Sequence, residues 1–285
     1  YHRQFSHSLV FIPIGSLVVA LLIFPWVKKA MSFKLVYLVS FLGYATHGLL
    51  DACTSYGTLL LWPFSYERIT WNNISIVDPI FTIPTLILVT CALMTKRKKF
   101  SFFAIGWILF YLIFGLVQYE RTLSAAKDLA SSRGHSAERL TLKPSFGNLI
   151  LWKSIYKHEE NFYVDAIRTV RSSHWCSGES TRAFSYKKHL PKLNKDSQQA
   201  KDIERFRWFS QDYLGYQKEK KLVTDIRYSM LPNQIEAMWG LVIDETLDFE
   251  KHASWWTGRS LEPSEFDLFL EMLIGKGCSD NDKKI

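Results

Sequence analysis

Residues 9–27 (LVFIPIGSLVVALLIFPWV) run for 19 positions without a charge, and this run constrains the chain more than any other feature. As an α-helix it is about 28 Å long, close to the roughly 30 Å hydrocarbon thickness of a bilayer. A helix buried in a water-soluble protein would show a polar stripe, and the apolar part of a cleaved signal is shorter. The run therefore reads as a membrane span, kinked rather than stopped by Pro13 and Gly15. Three more apolar runs follow at residues 33–50, 79–95 and 100–117, the last two separated only by Lys96-Arg97-Lys98-Lys99. The expectation is about four spans.

Charge divides the chain at the same place. Residues 1–118 hold nine Lys/Arg and three Asp/Glu, whereas residues 119–285 hold 26 and 24. A sparsely charged front and a densely charged rear belong in different solvents. The expected fold class is an integral membrane α-helical bundle of about four spans, residues 1–118, followed by a soluble α+β domain with an antiparallel sheet, residues 119–285. The overall excess of +8 forms no basic stripe interleaved with aromatics, which argues against nucleic acid as a partner and for membrane lipids. Lys28, Lys29, Lys34 and the 96–99 cluster give seven positive residues on one side, against Arg3, Arg68, Arg121 and Lys127 on the other. By the positive-inside rule the seven are cytoplasmic, so residues 1–8, the 51–78 loop and everything after Gln118 fall on the outer face of a multi-pass protein.

In the rear half, residues 119–132 read as a separate helix ended by Gly134. Residues 148–170, rich in Ile, Tyr, Trp and Val around a polar 157–161 break, read as a hairpin. Further strands are expected at 221–230 and 237–244, and helices at 196–213 and 263–274. Residues 177–200, rich in Ser, Lys and Gln, read as a mobile loop. Asp225 and Arg227 alternate with Ile226 and are expected on one sheet face, either as an exposed salt-bridged surface or as a face covering the membrane-edge site. Cys53, Cys91, Cys176 and Cys278 form no C-x-x-C pair, leaving a Cys176–Cys278 disulfide as the one pairing suggested.

Ionisable side chains beside spans are costly unless paired, solvated or bound, so their positions carry information. His2, Arg3 and His7 precede the first span, His47 and Asp51 end the second, and Asp78 precedes the third. The topology above puts all six at one membrane face. His47 and Asp51, four apart, project from the same side of a helix as two ligands of one metal would. His2, His7 and Asp78 complete a nitrogen and oxygen shell suited to zinc, manganese or iron. Asp51 or Asp78 could equally cap a following segment.

Y-H-R-Q-F-S-H-S (residues 1–8) resembles the H-R-x-x-[ST]-H-S signature of the YdjM/YfhP family, bacterial inner-membrane proteins regarded as metal-dependent hydrolases. H-G-L-L-D-A-C-T-S-Y-G-T-L-L-L-W-P-F-S (47–65) resembles the family's second motif and I-V-D-P-I (76–80) its third. N-L-I-L-W-K (148–153) and T-D-I-R-Y (224–228) look like segments of its longer members. The resemblance implies that His2, His7, His47, Asp51 and Asp78 are metal ligands and that Arg3 clamps an anion. It also implies a distant kinship to the zinc-dependent phospholipase C and nuclease superfamily. Relatives carry an acidic segment ahead of the H-R motif, which a chain opening at Tyr1 does not show, so a further N-terminal piece is expected.

A divalent metal held by imidazoles and carboxylates, zinc before manganese, makes hydroxide from bound water near neutral pH. With Arg3 pairing to a phosphate and Asp78 beside the ion as a second catalytic residue, a phosphoester or lipid-related substrate is the expected class. The chain contains no G-x-S-x-G, H-E-x-x-H or Gly-rich phosphate loop, so serine esterase, zincin and nucleotide-hydrolysing chemistries have no support. The competing expectation is a non-enzymatic membrane scaffold or partner-binding protein in which the same side chains form a structural knot.

Overall fold

The computed structural model describes residues 3–246, 248–258 and 262–276. The chain divides into two compact units. One comprises the residues up to Leu116 together with Phe146–Asn148, and the other comprises Val117–Ser145 with the chain from Leu149 onward.

The first unit is helical. Helix α1 (Phe11–Val27) and helix α2 (Phe33–Cys53) form an antiparallel hairpin. Tyr37 Oη donates to the Pro13 carbonyl, Phe24 meets Phe33 edge to face, and Gly15 lies under the Tyr44 ring, where a Cβ would come within 2.7 Å. Small residues at such crossings let helices approach without a hydrophobic driving force. Helix α3 (Pro79–Thr95) starts on Pro79, a residue suited to the first helical position, and stops at Lys96 in the left-handed conformation. Helix α4 (Lys98–Ser132) follows at once and packs on α3, with Trp107 Nε1 donating to the Phe81 carbonyl. Apolar side chains point outward on all four helices, among them Leu22, Leu42, Leu86 and Phe102. Two helices, α2 and α4, are long and apolar enough to cross a membrane, while α1 and α3 are shorter apolar helices of 10–17 residues.

One sequence expectation is corrected here. The apolar run at 100–117 and the polar helix at 119–132 are a single 35-residue helix. Gln118, Tyr119 and Glu120 include no breaker, so the change of polarity at 118 marks a change of surroundings and leaves the backbone hydrogen bonding intact.

The second unit is built on two antiparallel sheets. Strands β1 (Glu138–Pro144), β2 (Leu151–His158), β3 (Asn161–Thr169) and β4 (Ser173–Cys176) pair in order, and β5 (Ser180–Arg182) adds to β3. Every position of β2 from Leu151 to Tyr156 is buried, because both faces of the strand are covered. One face meets the end of α4, where Tyr119 packs on Trp152, Thr122 bonds Thr169, and Arg133 holds Asp165 at 2.7 and 2.8 Å. The other face supplies Ile155, Phe162 and Val164 to a core shared with Tyr213 and Ile226.

Two short helices follow in sequence, α5 (Tyr186–His189) and α6 (Gln198–Phe209). The second sheet has the order β6 (Leu214–Gln217), β7 (Leu222–Asp225), β8 (Trp239–Val242) and β9 (Ser254–Thr257). Helix α7 (Pro263–Ile274) closes a further cluster, with Leu268, Phe269 and Leu273 against Leu151, Ala166 and Leu231.

Residues 177–200 are not a structureless loop. Phe184, Leu190 and Leu193 are buried, and these anchors hold β5 and α5 in place among the polar residues that suggested mobility. The strands expected at 221–230 and 237–244 are each four residues long, and β7 ends at Asp225. Asp225 and Arg227 therefore do not share an exposed strand face; both are buried and paired to each other. The suggested Cys176–Cys278 pairing involves Cys278, which lies outside the described residues.

Candidate metal centre

His7 ends a single 3-10 turn, Phe5–His7, ahead of α1, and His47 and Asp51 stand one turn apart near the end of α2. The antiparallel hairpin brings these ends together, and Gly48 permits the approach, since a Cβ there would lie 3.0 Å from the His7 carbonyl oxygen. His7 Nε2 is 3.1 Å from His47 Nε2 and 3.3 Å from Asp51 Oδ2, and one ligand atom of each residue falls within 4.8 Å of the others.

Two ligands on a tetrahedral ion with bonds of about 2.0 Å stand about 3.3 Å apart, so both short edges have the length a shared ion requires. Asp51 Oδ2 is buried and accepts no hydrogen bond. A buried acceptor left in that state costs about 1–3 kcal/mol, which a bound cation would offset. Two imidazoles and a carboxylate are a borderline donor set, appropriate to zinc and acceptable to manganese. His47 is exposed, which leaves the group open on one side.

The surrounding residues hold the three in place. Ser6 Oγ is 3.0 Å from His7 Nδ1; with Nδ1 as the donor, Nε2 keeps its lone pair toward the group. Arg3 is buried, and its Nη2 lies 3.0 Å from Asp51 Oδ1. Its Nη1 donates to the Asp51 carbonyl at 3.2 Å and to Thr54 Oγ1 at 2.7 Å. The guanidinium thus occupies Oδ1 and turns Oδ2 toward the histidines. Arg3 holds a φ of 58°, a left-handed conformation sparsely populated by residues with a Cβ, which the hydrogen bonds of its side chain help maintain.

Where the sequence suggests an anion clamp, the structure thus gives Arg3 internal partners. Asp78 is not in the His7, His47 and Asp51 group. It caps α3, with Oδ1 accepting from the Phe81 amide at 3.1 Å and Oδ2 from the Tyr111 hydroxyl at 2.8 Å. His2 lies outside the described residues.

A second polar group, in the β unit, has no counterpart among the sequence motifs. Lys143 and Lys153 are cross-strand partners on β1 and β2, only 5% and 4% exposed. Lys153 Nζ donates to Ser229 Oγ and the Gln234 carbonyl, both at 2.6 Å. Lys143 Nζ lies 3.4 Å from the centre of the Tyr228 ring and makes no hydrogen bond. Asp225 is already saturated by Arg227, whose Nε and Nη2 reach its two oxygens at 2.8 and 2.7 Å. Burial pushes the Lys153 amine down to about 7 against the opposing pull of Asp225 and Glu179. Burial, reinforced by Arg227, pushes Lys143 well below the usual range. The sequence gives no sign of these buried lysines because β1 alternates apolar Leu140 and Leu142 with polar Thr141 and Lys143, which reads as one solvated face, and nothing local marks a strand as covered on both faces.

Apolar helices with outward-facing aliphatic side chains, a polar cluster at one end of a helix pair, and a separate charged β unit define a membrane protein with an extramembrane domain. Residues 1–122 match the model of the YdjM inner membrane protein family. No curated protein and no solved structure matches the chain.

Proposed function

We propose that the chain is a metal-dependent hydrolase of the inner membrane, with His7, His47 and Asp51 as the ligands of a divalent ion, zinc in first place and manganese in second. The observation that carries the reading is the pair of short edges at His7 Nε2 beside a buried Asp51 oxygen that accepts no hydrogen bond. Three protein ligands with one open side match catalytic sites, whereas structural zinc sites are closed by four. When bound, a divalent ion there supplies hydroxide from water at neutral pH and polarises a phosphoryl or carbonyl oxygen.

The chain's own residues set the conditions for that chemistry. Ser6 orients the His7 ring, Arg3, braced by Thr54, holds the Asp51 carboxylate, and the exposed His47 leaves room for a substrate. A phosphoester or related lipid bond at the membrane surface is the substrate class that fits a site at the end of an apolar helix hairpin. Four spans fit the same reading: α1 and α3, at 17 residues each, reach about 25 Å, enough to cross with local thinning. The Lys/Arg count then puts the site and the β unit on the outer face.

Metal analysis by mass spectrometry of full-length, detergent-purified protein tests the reading. Stoichiometric zinc or manganese in the wild type, lost in His47→Ala and Asp51→Ala, is the expected result. Metal-free wild type with intact helical content would remove the hydrolase reading in favour of a scaffold in which Arg3, Asp51 and Thr54 form a purely structural knot.

A further inference from the structure

The connection between α2 and α3 is folded back on itself and presents apolar side chains outward. Thr58 and Ile69 exchange two backbone hydrogen bonds of 3.0 Å, closing the segment between them into a turn. Inside it the Phe64 and Ser65 amides both donate to the Leu61 carbonyl, at 2.9 and 3.1 Å. At the base, Arg68 Nη2 donates to the Tyr56 and Gly57 carbonyls. These backbone groups therefore need no water. Yet Phe64 is 85% exposed, Tyr66 65% and Leu61 44%, with Phe5 exposed beside them and its ring 6.0 Å from Trp62.

A turn in water normally shows the reverse, with polar side chains outside and backbone groups hydrated. A turn closed by backbone hydrogen bonds at its base and at the Leu61 carbonyl, with aromatic and aliphatic side chains at its tip, suits the boundary of a bilayer, where headgroups and their water can meet the tip's carbonyls and aromatic rings lie among the headgroups. The turn is also tied to the metal ligands. Leu59 N donates to the Arg3 carbonyl at 3.2 Å and Leu9 N to the Leu60 carbonyl at 2.9 Å, so the strip carrying Arg3 and His7 is hydrogen-bonded along its edge.

We propose that the turn around Leu61, Phe64 and Tyr66 dips into the bilayer interface, with a lipid surface as its partner, and holds the His7, His47 and Asp51 group at headgroup depth. This deepens the hydrolase reading and rests on it for the substrate alone: the bond attacked belongs to a phospholipid lying in the membrane. Contact between the turn and lipid depends only on the exposed side chains and the closed backbone.

The test is spin-label accessibility in nanodiscs of phosphatidylethanolamine and phosphatidylglycerol, with the full chain carrying a nitroxide at Phe64→Cys or, as a water-facing control, at the exposed Glu67→Cys. The unsubstituted chain labelled in parallel corrects for native thiols. Collisions with oxygen, which concentrates in lipid, should exceed those with a water-soluble nickel chelate at position 64, and the order should reverse at position 67. Nickel-dominated collisions at both positions would overturn the proposal, whatever the metal content. A lipid-facing position 64 in a protein that binds no metal would uphold the membrane contact and remove only the hydrolase reading beneath it.

Discussion

Arg3 illustrates how much a single side chain does at this site. Its guanidinium reaches one carboxylate oxygen, one carbonyl and one hydroxyl, all from the last turn of α2 or its cap. Lysine offers a point charge and no fixed fork, so it cannot reproduce three directed contacts. Arg3→Lys and Arg3→Ala are therefore expected to leave the proposed ligands in place but free Asp51 to rotate. Loss of a group that orients a metal ligand typically lowers affinity about 10–100-fold. Competition of purified variants against a fluorescent zinc chelator reads this directly, and unchanged affinity would show that Asp51 needs no orienting partner. The grouping of His7, His47 and Asp51, the proposed ligands, is legible in the sequence, because a four-residue spacing on a helix and a histidine just ahead of an apolar helix need no tertiary information. Asp78 is not so easily placed. A carboxylate immediately before Pro79 is as well suited to capping a helix as to binding an ion, and its actual partners, Phe81 and the distant Tyr111, include one that only the fold supplies.

At the level of elements, the chain is most legible where one physical rule acts alone. Helices α3 and α7 begin at prolines and have the bounds their patterns predict, and the β2–β3 hairpin turns at its polar break. The pattern misleads where two environments meet within one element, as in α4, or where a few buried residues anchor a polar stretch, as Phe184, Leu190 and Leu193 do. Gly115 on α4 carries a consequence of such meetings. A Cβ built on it would stand 2.0 Å from the Asn73 carbonyl oxygen, in the same segment whose Asn73 Nδ2 donates to the Leu112 carbonyl at 3.2 Å. Because the obstacle is backbone, Gly115→Ala must displace the 72–75 segment from the helix. Overpacking of this kind costs about 1–3 kcal/mol. A lowered midpoint of thermal unfolding in detergent micelles is expected for Gly115→Ala but not for Gly106→Ala on the same helix, where a Cβ meets nothing within 4 Å.

For the molecule as a whole, stability should depend on pH through the buried lysines of the β unit. An unfolded lysine titrates near 10.5, whereas folded Lys153 has been pushed down to about 7. Between those values the unfolded chain binds more protons than the folded one, so stability rises as pH increases from about 7 toward 10.5 and is lost as pH falls back through 7. Lys143, displaced in the same direction, adds to the slope. A tenfold loss of proton affinity on folding corresponds to about 1.4 kcal/mol, which puts the combined effect on the order of several kcal/mol for side chains as buried as these. Unfolding of the full chain in micelles, followed by the near-ultraviolet signal of its aromatic residues, should therefore give a midpoint that climbs between pH 7 and about 9.5, short of tyrosine ionisation. Lys153→Met keeps the length of the side chain and removes the proton, so it should raise the midpoint at pH 7 and flatten the climb. A wild-type midpoint that stays level or falls over that range would mean that these ammonium groups remain charged in the folded protein, compensated by Asp225, Glu179 and the Tyr228 ring rather than neutralised by loss of a proton.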